Sequence, residues 1–323
     1  MKQLLENIYM ETIPLPGSPL KWINSYIITD GDHGLLIDTA FNHRESEAKI
    51  LSCLAEVGLT IEQTDIFLTH MHVDHSGLCE RLKRPSNRVF ASPLDSKAIN
   101  MFQQPPYWDW IIMTNRYAGV PPEHQLMPEG HVAFRYRPDR EMDFDIISVG
   151  DRVSIGGYDF EVVDLQGHTP GQIGLYDREQ SILFCGDHIL DRITPNITAW
   201  DLKTDYLGVY LENLKRVKSW NVTHLFTSHR ELPDDVNGRI DQLIAHHQRR
   251  IQEVVDILKQ KQSSTAYEVA RQMHWSIPGG FDEFPTMQKW FACSEALTHL
   301  QYLAFHGLAS RSEASEPIWF SLI

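Results

Sequence analysis

The sequence has few cysteines, and none of them is arranged in a pair. Of its 323 residues four are cysteine, and they lie far apart at Cys53, Cys79, Cys185 and Cys293. This scatter excludes the disulfide framework of a small secreted protein and the CxxC pairs of a zinc ribbon. Reduced thiols are typical of the cytoplasm, and we therefore expect a cytoplasmic protein.

Long hydrophobic runs are also missing. No stretch reaches 18 consecutive apolar residues, which is about the length that a membrane-spanning helix needs. Residues 1–11 carry one lysine, two glutamates and no long apolar run, so we expect no secretory signal there. A membrane is therefore not an expected partner.

Positive charge is scarce. The chain has 29 Lys and Arg residues against 43 Asp and Glu residues, a formal net charge of −14. Because a phosphate backbone is bound by an excess of cations, nucleic acid is not expected as a partner. Histidine, by contrast, is abundant at 16 residues, which directs attention to metal binding.

Runs of Ile, Leu, Val, Tyr and Thr alternate with amphipathic segments, and this pattern indicates an α/β (α+β) protein with two sheets flanked by helices. The predicted strands are 23–30, 35–39, 64–70, 88–92, 145–167, 172–177, 181–187 and 223–228. The predicted helices are 44–58, 203–219 and 236–260.

Residues 97–145 break this pattern. They combine two Pro-Pro pairs with several Trp and Tyr residues, which is too aromatic for a linker and too irregular for core strands. We interpret them as a lid-like insertion over a bulky or apolar substrate, because long irregular segments are often functional. The alternative is a packed subdomain without substrate contact.

Four metal-type ligands are crowded into the stretch THMHVDHSG at 69–77, namely His70, His72, Asp74 and His75. Imidazole and carboxylate together suit divalent first-row metals. Three further donors each follow a predicted strand: His168 in GHTPG, Asp187 in CGDH and His229 in TSHR. Loops at strand ends converge on one edge of a sheet, so these donors are expected to meet the first four.

The seven donors are enough for two metal ions. We predict that His70, His72 and His168 hold one ion and that Asp74, His75 and His229 hold the other. Asp187 is predicted to bridge the two. Zinc is expected first, with iron and manganese as alternatives.

The ordered set HMHVDH, GHTPG, GDH and SHR resembles the metallo-β-lactamase superfamily, in its binuclear branch with glyoxalase II and the acyl-homoserine lactonases. The resemblance spans roughly residues 20–230 and implies a four-layer αββα sandwich with the metals at one edge of two facing sheets. It also implies that Asp38, in LLIDT, supports the ligand-bearing loop, and we place Thr69 with it.

A metal-bridging hydroxide would then cleave a small ester, thioester or lactone, with Asp74 orienting the hydroxide. Two alternatives stay open: a phosphodiesterase or endoribonuclease with the same dinuclear site, and an enzyme like the persulfide dioxygenases with a single iron. Four residues are candidate substrate contacts: His188 and Asn196 near the bridging aspartate, and Arg135 and Arg137 in the insertion.

The last 62 residues differ from the rest of the chain in their pattern of predicted helices and strands. We divide the chain into a catalytic domain at 1–235, a connecting helix at 236–261 and a C-terminal domain at 262–323. In the last of these, a short helix at 265–274, a helix at 292–311 and a terminal strand resemble a winged-helix domain. Residues 264–323 hold three Lys and Arg against six Asp and Glu, which argues against nucleic-acid binding and favours packing or homodimerisation.

Overall fold

The N-terminal half of the chain forms a seven-stranded sheet, and its strands lie in chain order. The computed structural model describes residues 1–276, 279–312 and 316–323. The strands are β1 (Lys2–Leu5), β2 (Ile8–Pro14), β3 (Trp22–Asp30), β4 (His33–Ile37), β5 (Thr64–Phe67), β6 (Val89–Ala91) and β7 (Asp145–Ile146). β1 to β4 pair antiparallel, and β4 to β7 pair parallel. Ile37 lies opposite Phe67, so the chain leaves β4 and β5 at the same edge.

A second sheet has five strands in the spatial order β12-β11-β10-β9-β8. They are β8 (Arg152–Ile155), β9 (Tyr158–Asp164), β10 (Ile173–Asp177), β11 (Ile182–Gly186) and β12 (His224–Thr227). β11 and β12 pair parallel with Gly186 opposite Thr227, and the other pairs are antiparallel. Because β11 and β12 are parallel, the residues that follow them lie at the same edge of the second sheet.

The strand signals over 145–167 correspond to three strands, which lie in two different sheets. β7 belongs to the first sheet and β8 and β9 to the second, so the chain crosses between the sheets near Gly150. Gly156 and Gly157, both with positive φ, then make the tight turn between β8 and β9. Glycine adopts this backbone region without a steric penalty, which is why the run breaks there.

The two sheets pack face to face, as the resemblance implies. Tyr26 and Phe67 of the first sheet are buried in one cluster with Phe160, Phe184 and Phe226 of the second. Helices cover both outer faces. The helix Arg44–Glu56 packs on the first sheet through Ile50 and Leu54, and the helices Tyr206–Ser219 and Val236–Leu258 pack on the second through residues such as Leu214 and Ile240. This is a four-layer αββα sandwich.

The helices of the described residues have the following bounds: α1 (Arg44–Glu56), α2 (Val73–Ser76), α3 (Cys79–Leu82), α4 (Pro93–Met101), α5 (Pro105–Ala118), α6 (Val132–Tyr136), α7 (Tyr206–Ser219), α8 (Val236–Leu258), α9 (Ala266–Gln272) and α10 (Thr286–Phe305). Over the same residues, none of them is both long and apolar enough to cross a lipid bilayer.

The insertion at 97–145 is more regular than its composition suggests. It contains the end of α4 and the whole of α5 and α6. Pro105 and Pro106 open α5 and do not break it, because proline lacks an N–H that the first helical turn would leave unpaired in any case. Whether the insertion acts as a lid stays a prediction.

The C-terminal region contains α9, α10 and a two-stranded antiparallel sheet of β13 (Ala309–Arg311) and β14 (Phe320–Leu322). The helix predicted over 292–311 begins earlier, after Pro285, and ends before Gly307, where the chain turns into β13. α9 and α10 share a buried cluster with the end of α8 and with Ala118 of the insertion. That this region is a winged helix and mediates dimerisation stays a prediction.

Candidate metal centre

The structure brings all seven predicted donors to one edge of the facing sheets. The parallel pairs β4–β5 and β11–β12 direct their carboxyl ends to that edge, and the segments that follow the strands carry the donors. His70, His72, Asp74 and His75 follow β5, His168 follows β9, Asp187 follows β11 and His229 follows β12. Three groups could each hold a metal ion: His70 with His72 and His168, His70 with His75 and Asp187, and Asp74 with His75 and His229.

Three ring nitrogens converge in the first group. The Nδ1 atom of His72 lies 3.1 Å from Nε2 of His70 and 3.0 Å from Nε2 of His168. The Nδ1 atom of His168 is 2.7 Å from the carbonyl oxygen of Asn196, which can only accept, so Nδ1 carries the proton. Nε2 of His168 therefore presents a lone pair to the centre of the group.

The hydrogen bonds of His70 determine in the same way which of its ring nitrogens carries the proton. The Thr69 hydroxyl donates to the carboxylate of Asp38 at 2.7 Å, so its oxygen is free to accept from Nδ1 of His70 at 3.1 Å. The Nε2 atom of His70 then also presents a lone pair. His72 could donate a proton to one of these two nitrogens but not to both, whereas a cation would satisfy all three.

The second group is oriented in the same way. Nδ1 of His75 donates to Asp38 at 2.7 Å, and Nδ1 of His229 donates to the carbonyl oxygen of Trp22 at 3.2 Å. Their Nε2 atoms lie 3.9 and 3.3 Å from Oδ2 of Asp74. Both Nε2 atoms are buried and form no hydrogen bond within the described residues. Buried polar atoms are rarely left unpaired, so these two fit a cation.

Asp187 lies between the two groups. Its Oδ1 atom is 3.5 Å from Nε2 of both His75 and His229, and its Oδ2 atom is 3.8 Å from Nε2 of His168. One carboxylate oxygen therefore faces each group. This is the arrangement that a bridging ligand requires.

The charges of the site are strongly coupled. Burial opposes ionisation of Asp74 and Asp187, yet the neighbouring imidazoles of His75 and His229 hold both carboxyl pKa values below their usual range. Burial lowers the pKa of His70 and His168 and brings that of His72 to about 3. The first group is therefore neutral and the carboxylates are ionised, as metal binding requires. Burial opposes protonation of His75 and His229, but the neighbouring carboxylates outweigh it and raise the pKa of both. A metal ion that binds the second group would therefore displace protons from these two imidazoles.

Asp38, which directly follows β4, is hydrogen-bonded to the segments that carry both donor groups. Its side chain is 1% exposed, and it accepts hydrogen bonds from the backbone and hydroxyl of Thr69, from His75 and from the hydroxyl of Ser228. Its φ angle is +58°, a region that Asp and Asn tolerate better than most residues. The supporting role that the resemblance implies for Asp38 and Thr69 agrees with these contacts.

The four predicted substrate contacts, unlike the seven donors, lie in different environments. His188 is fully buried beside the ring of Tyr210, and burial lowers its pKa to about 3. Asn196 uses its backbone carbonyl to orient His168. Arg137 contacts Gln103 and Phe134 within the insertion, and Arg135 is exposed beside Tyr136. The structure thus gives Asn196 a positioning contact, and substrate binding by all four stays a prediction.

Two contributors escape sequence reasoning. The carbonyl of Trp22 orients His229, but a carbonyl carries no residue signature. Trp200 donates its indole N–H to the carbonyl of His168 at 3.0 Å, and its ring centroid lies 5.9 Å from that of His72. Trp200 stands in the segment ITAWDLK, which carries no motif, so nothing in the local sequence marks it.

Comparisons of the sequence and of the fold with known proteins both find metallo-beta-lactamase relatives. A family model described as the Metallo-beta-lactamase superfamily matches residues 23–229. The "Beta-lactamase-like protein 2 homolog" of Caenorhabditis elegans is 26% identical over 260 residues, covering 80% of this chain and 73% of that protein. An "Atrochrysone carboxyl ACP thioesterase" of Aspergillus fumigatus is 23% identical over 79% of this chain and 49% of its own length. The crystal structure of a metallo-beta-lactamase family protein from Thermus thermophilus superposes with a TM-score of 0.83 at 25% identity, covering 99% of this chain and 100% of that one.

Proposed function

The chain belongs to the metallo-beta-lactamase superfamily and is a metal-dependent hydrolase; from that premise we propose that it uses two divalent cations to cleave an acyl thioester. The observation that carries the proposal is the pair of donor groups with inward-facing nitrogens, with one oxygen of Asp187 directed at each. Thioesters are favoured over other esters and lactones by the fungal relative, whose name is that of a thioesterase.

The donor set supports the division predicted from the sequence. His70, His72 and His168 would hold one cation, Asp74, His75 and His229 the other, and Asp187 both. Imidazole and carboxylate donors in this ratio suit zinc, with iron and manganese as alternatives. When bound, the cations would polarise the thioester carbonyl and lower the pKa of water to about 7.

Asp74 is the residue that we assign to the attacking water. It is the most exposed carboxylate of the centre, with 14% of its side chain accessible, and its Oδ2 atom lies 3.3 Å from Nε2 of His229. Burial opposes its ionisation, but His75 and His229 lower its pKa, so it remains an acceptor. Asp74 would therefore orient a water O–H at Oδ2 and, because it is partly exposed, pass the proton of the attacking water on to bulk solvent. A thiolate, with a conjugate-acid pKa of about 8.5, leaves without a dedicated proton donor.

An aromatic wall of Trp110 and Trp200, with the buried Trp290 behind them, supports a bulky, apolar acyl group. Trp200 stacks on Trp110 with ring centroids 4.6 Å apart and an angle of 12°, and Trp290 meets Trp110 edge-on at 5.3 Å. Trp110 and Trp200 are half-buried, as is the neighbouring ligand His72. An acyl group that approaches the centre past His72 would lie along these indole faces.

Metal analysis beside activity tests this proposal. We expect about two metal ions per chain in the wild type and fewer in Asp187→Ala, with thioester turnover lost together with the metal. Thioesters of long-chain acids should be cleaved faster than a lactone, and a phosphodiester least, because the net charge of −14 disfavours a negatively charged phosphate group. About one iron per chain without hydrolysis of any of these substrates would contradict the proposal and favour the dioxygenase alternative.

A further inference from the structure

A buried carboxylate outside the ligand set joins the two loops that carry the first donor group. Asp95 lies in the first turn of α4 and is 2% exposed. Its own N–H donates to the Ser92 hydroxyl that caps the helix, at 3.2 Å. Its Oδ2 atom accepts from the N–H of Met71 at 2.9 Å and from the hydroxyl of Thr169 at 2.8 Å.

These two partners stand next to the donors of one group. Met71 lies between His70 and His72, and Thr169 follows His168. All three histidines of the first group are therefore one residue away from a hydrogen bond to Asp95. The second group is held differently: Asp38 orients His75, and the carbonyl of Trp22 orients His229.

The fit around Asp95 is too close to be incidental. A Cβ atom at Gly171, in the turn that carries His168, would come within 2.5 Å of Oδ1 of Asp95 and of the Ser92 hydroxyl. A side chain at position 171 would push the turn away from α4. Burial raises the pKa of Asp95 to about 6, against the hydrogen bonds from Thr169 and Met71, so burying this group is unfavourable unless those bonds are formed.

We propose that Asp95 is a positioning residue for the His70–His72–His168 group, which sets the separation of its two loops and hence the metal affinity of that group alone. The inference rests on the proposed function, since it takes this group as one of two metal sites. Ligand geometry is commonly set by such outer hydrogen bonds, and their loss costs about 10-fold to 100-fold in metal affinity.

Zinc titration of purified, metal-free protein tests the inference without reference to activity. Stoichiometry and affinity would be measured by competition with a chromophoric chelator in the wild type, Asp95→Ala and Thr169→Val. We expect two sites in the wild type. In both variants one site should weaken at least about tenfold while the other keeps its affinity. Asp95→Asn should recover part of the loss, because its amide oxygen can accept both bonds.

Asp177→Asn is the matched control. Asp177 is also buried, at 3% exposure, and also accepts two hydrogen bonds, here from the backbone N–H groups of Asp159 and Gln180, but it lies on β10 away from the ligand loops. It should lose stability and keep both metal affinities. Thr169→Val leaves α4 intact and decides the question if Asp95→Ala does not fold.

The outcomes separate the inference from the function on which it rests. Equal weakening of both sites in Thr169→Val, or two unchanged sites in either variant, would overturn the role of Asp95 and leave the dinuclear proposal standing. A wild-type protein that binds fewer than two zinc ions would overturn both.

Discussion

Replacing Asp38 with Asn tests how far the hydrogen bonds behind the donors determine the stability of the protein and its affinity for metal. Asn tolerates the φ of +58° at this position, so the change removes a charge and one acceptor without adding backbone strain. The amide oxygen can take the place of Oδ2 and keep the bonds to Thr69 Oγ1, His75 and Ser228. In the wild type the backbone N–H of Thr69 donates to Oδ1 of Asp38 at 2.8 Å. In the variant the amide nitrogen takes the place of Oδ1, so this N–H loses its acceptor.

The magnitude follows from these contacts. Leaving the buried N–H of Thr69 without an acceptor costs about 1–3 kcal/mol, and a neutral acceptor for His75 gives up about 1 kcal/mol of a charge-assisted bond. The free energy of unfolding should fall by about 2–4 kcal/mol, which for a chain of 323 residues corresponds to a Tm lower by about 3–6 °C. The affinity of the second group should fall by about 10-fold to 100-fold, since a carboxylate partner orients a metal-binding histidine.

Thermal unfolding of the metal-free protein and zinc titration measure the two effects separately. Asp65→Asn is the control: Asp65 is likewise buried and accepts a backbone N–H and the guanidinium of Arg88, but it lies at the far end of β5. It should lose stability with both zinc affinities intact. If Asp38→Asn kept the wild-type Tm and bound two zinc ions with wild-type affinity, the reasoning from its hydrogen bonds would be refuted.

Three further predictions follow from the geometry of the centre. Trp110→Ala should lower kcat/KM for long-chain acyl thioesters at least about tenfold more than for acetyl thioesters, since a well-fitted apolar contact is worth about 1–3 kcal/mol; an equal loss for both would argue against the wall. Asp74→Asn should reduce kcat strongly and leave zinc bound by the first group, which elemental analysis can check; loss of both ions would show that the two groups are not separable. Removal of metal by a chelator should lower Tm, because a ligand at 1,000 times its Kd stabilises by about 4 kcal/mol; an unchanged Tm would mean that the inward-facing nitrogens need no cation.

The clustering of the seven donors could be predicted because the segments that carry them follow apolar strands, and strand ends are readable from sequence. His168, Asp187 and His229 are far apart in the chain, yet each is marked by a short run of turn residues after a strand. The regular helices of the insertion were missed for the opposite reason. Pro105 and Pro106 indicate an irregular segment in isolation, and only their position at the start of α5 makes them compatible with a helix.

What could not be predicted is the layer of contacts behind the ligands. Asp95 contacts Met71 and Thr169 through a backbone N–H and a hydroxyl, and neither partner lies near it in the sequence. The carbonyls of Trp22 and Asn196 orient two histidines, and a carbonyl is present at every residue. These contacts depend on the register of β3 and on the path of the chain after Asp187, which local patterns do not specify.

The two parts of the site have separate structural origins. The donors and their partners Asp38 and Asp95 lie within 1–235, at the edge of the two sheets. The aromatic wall joins three other segments: Trp110 comes from α5 of the insertion, Trp200 from the segment before α7 and Trp290 from α10. The wall contacts the metal centre through Trp200, which donates to the carbonyl of His168. If the wall holds the acyl group as proposed, substitutions at Trp110 or Trp290 should change substrate preference more than metal binding, and the C-terminal region would take part in substrate selection through Trp290.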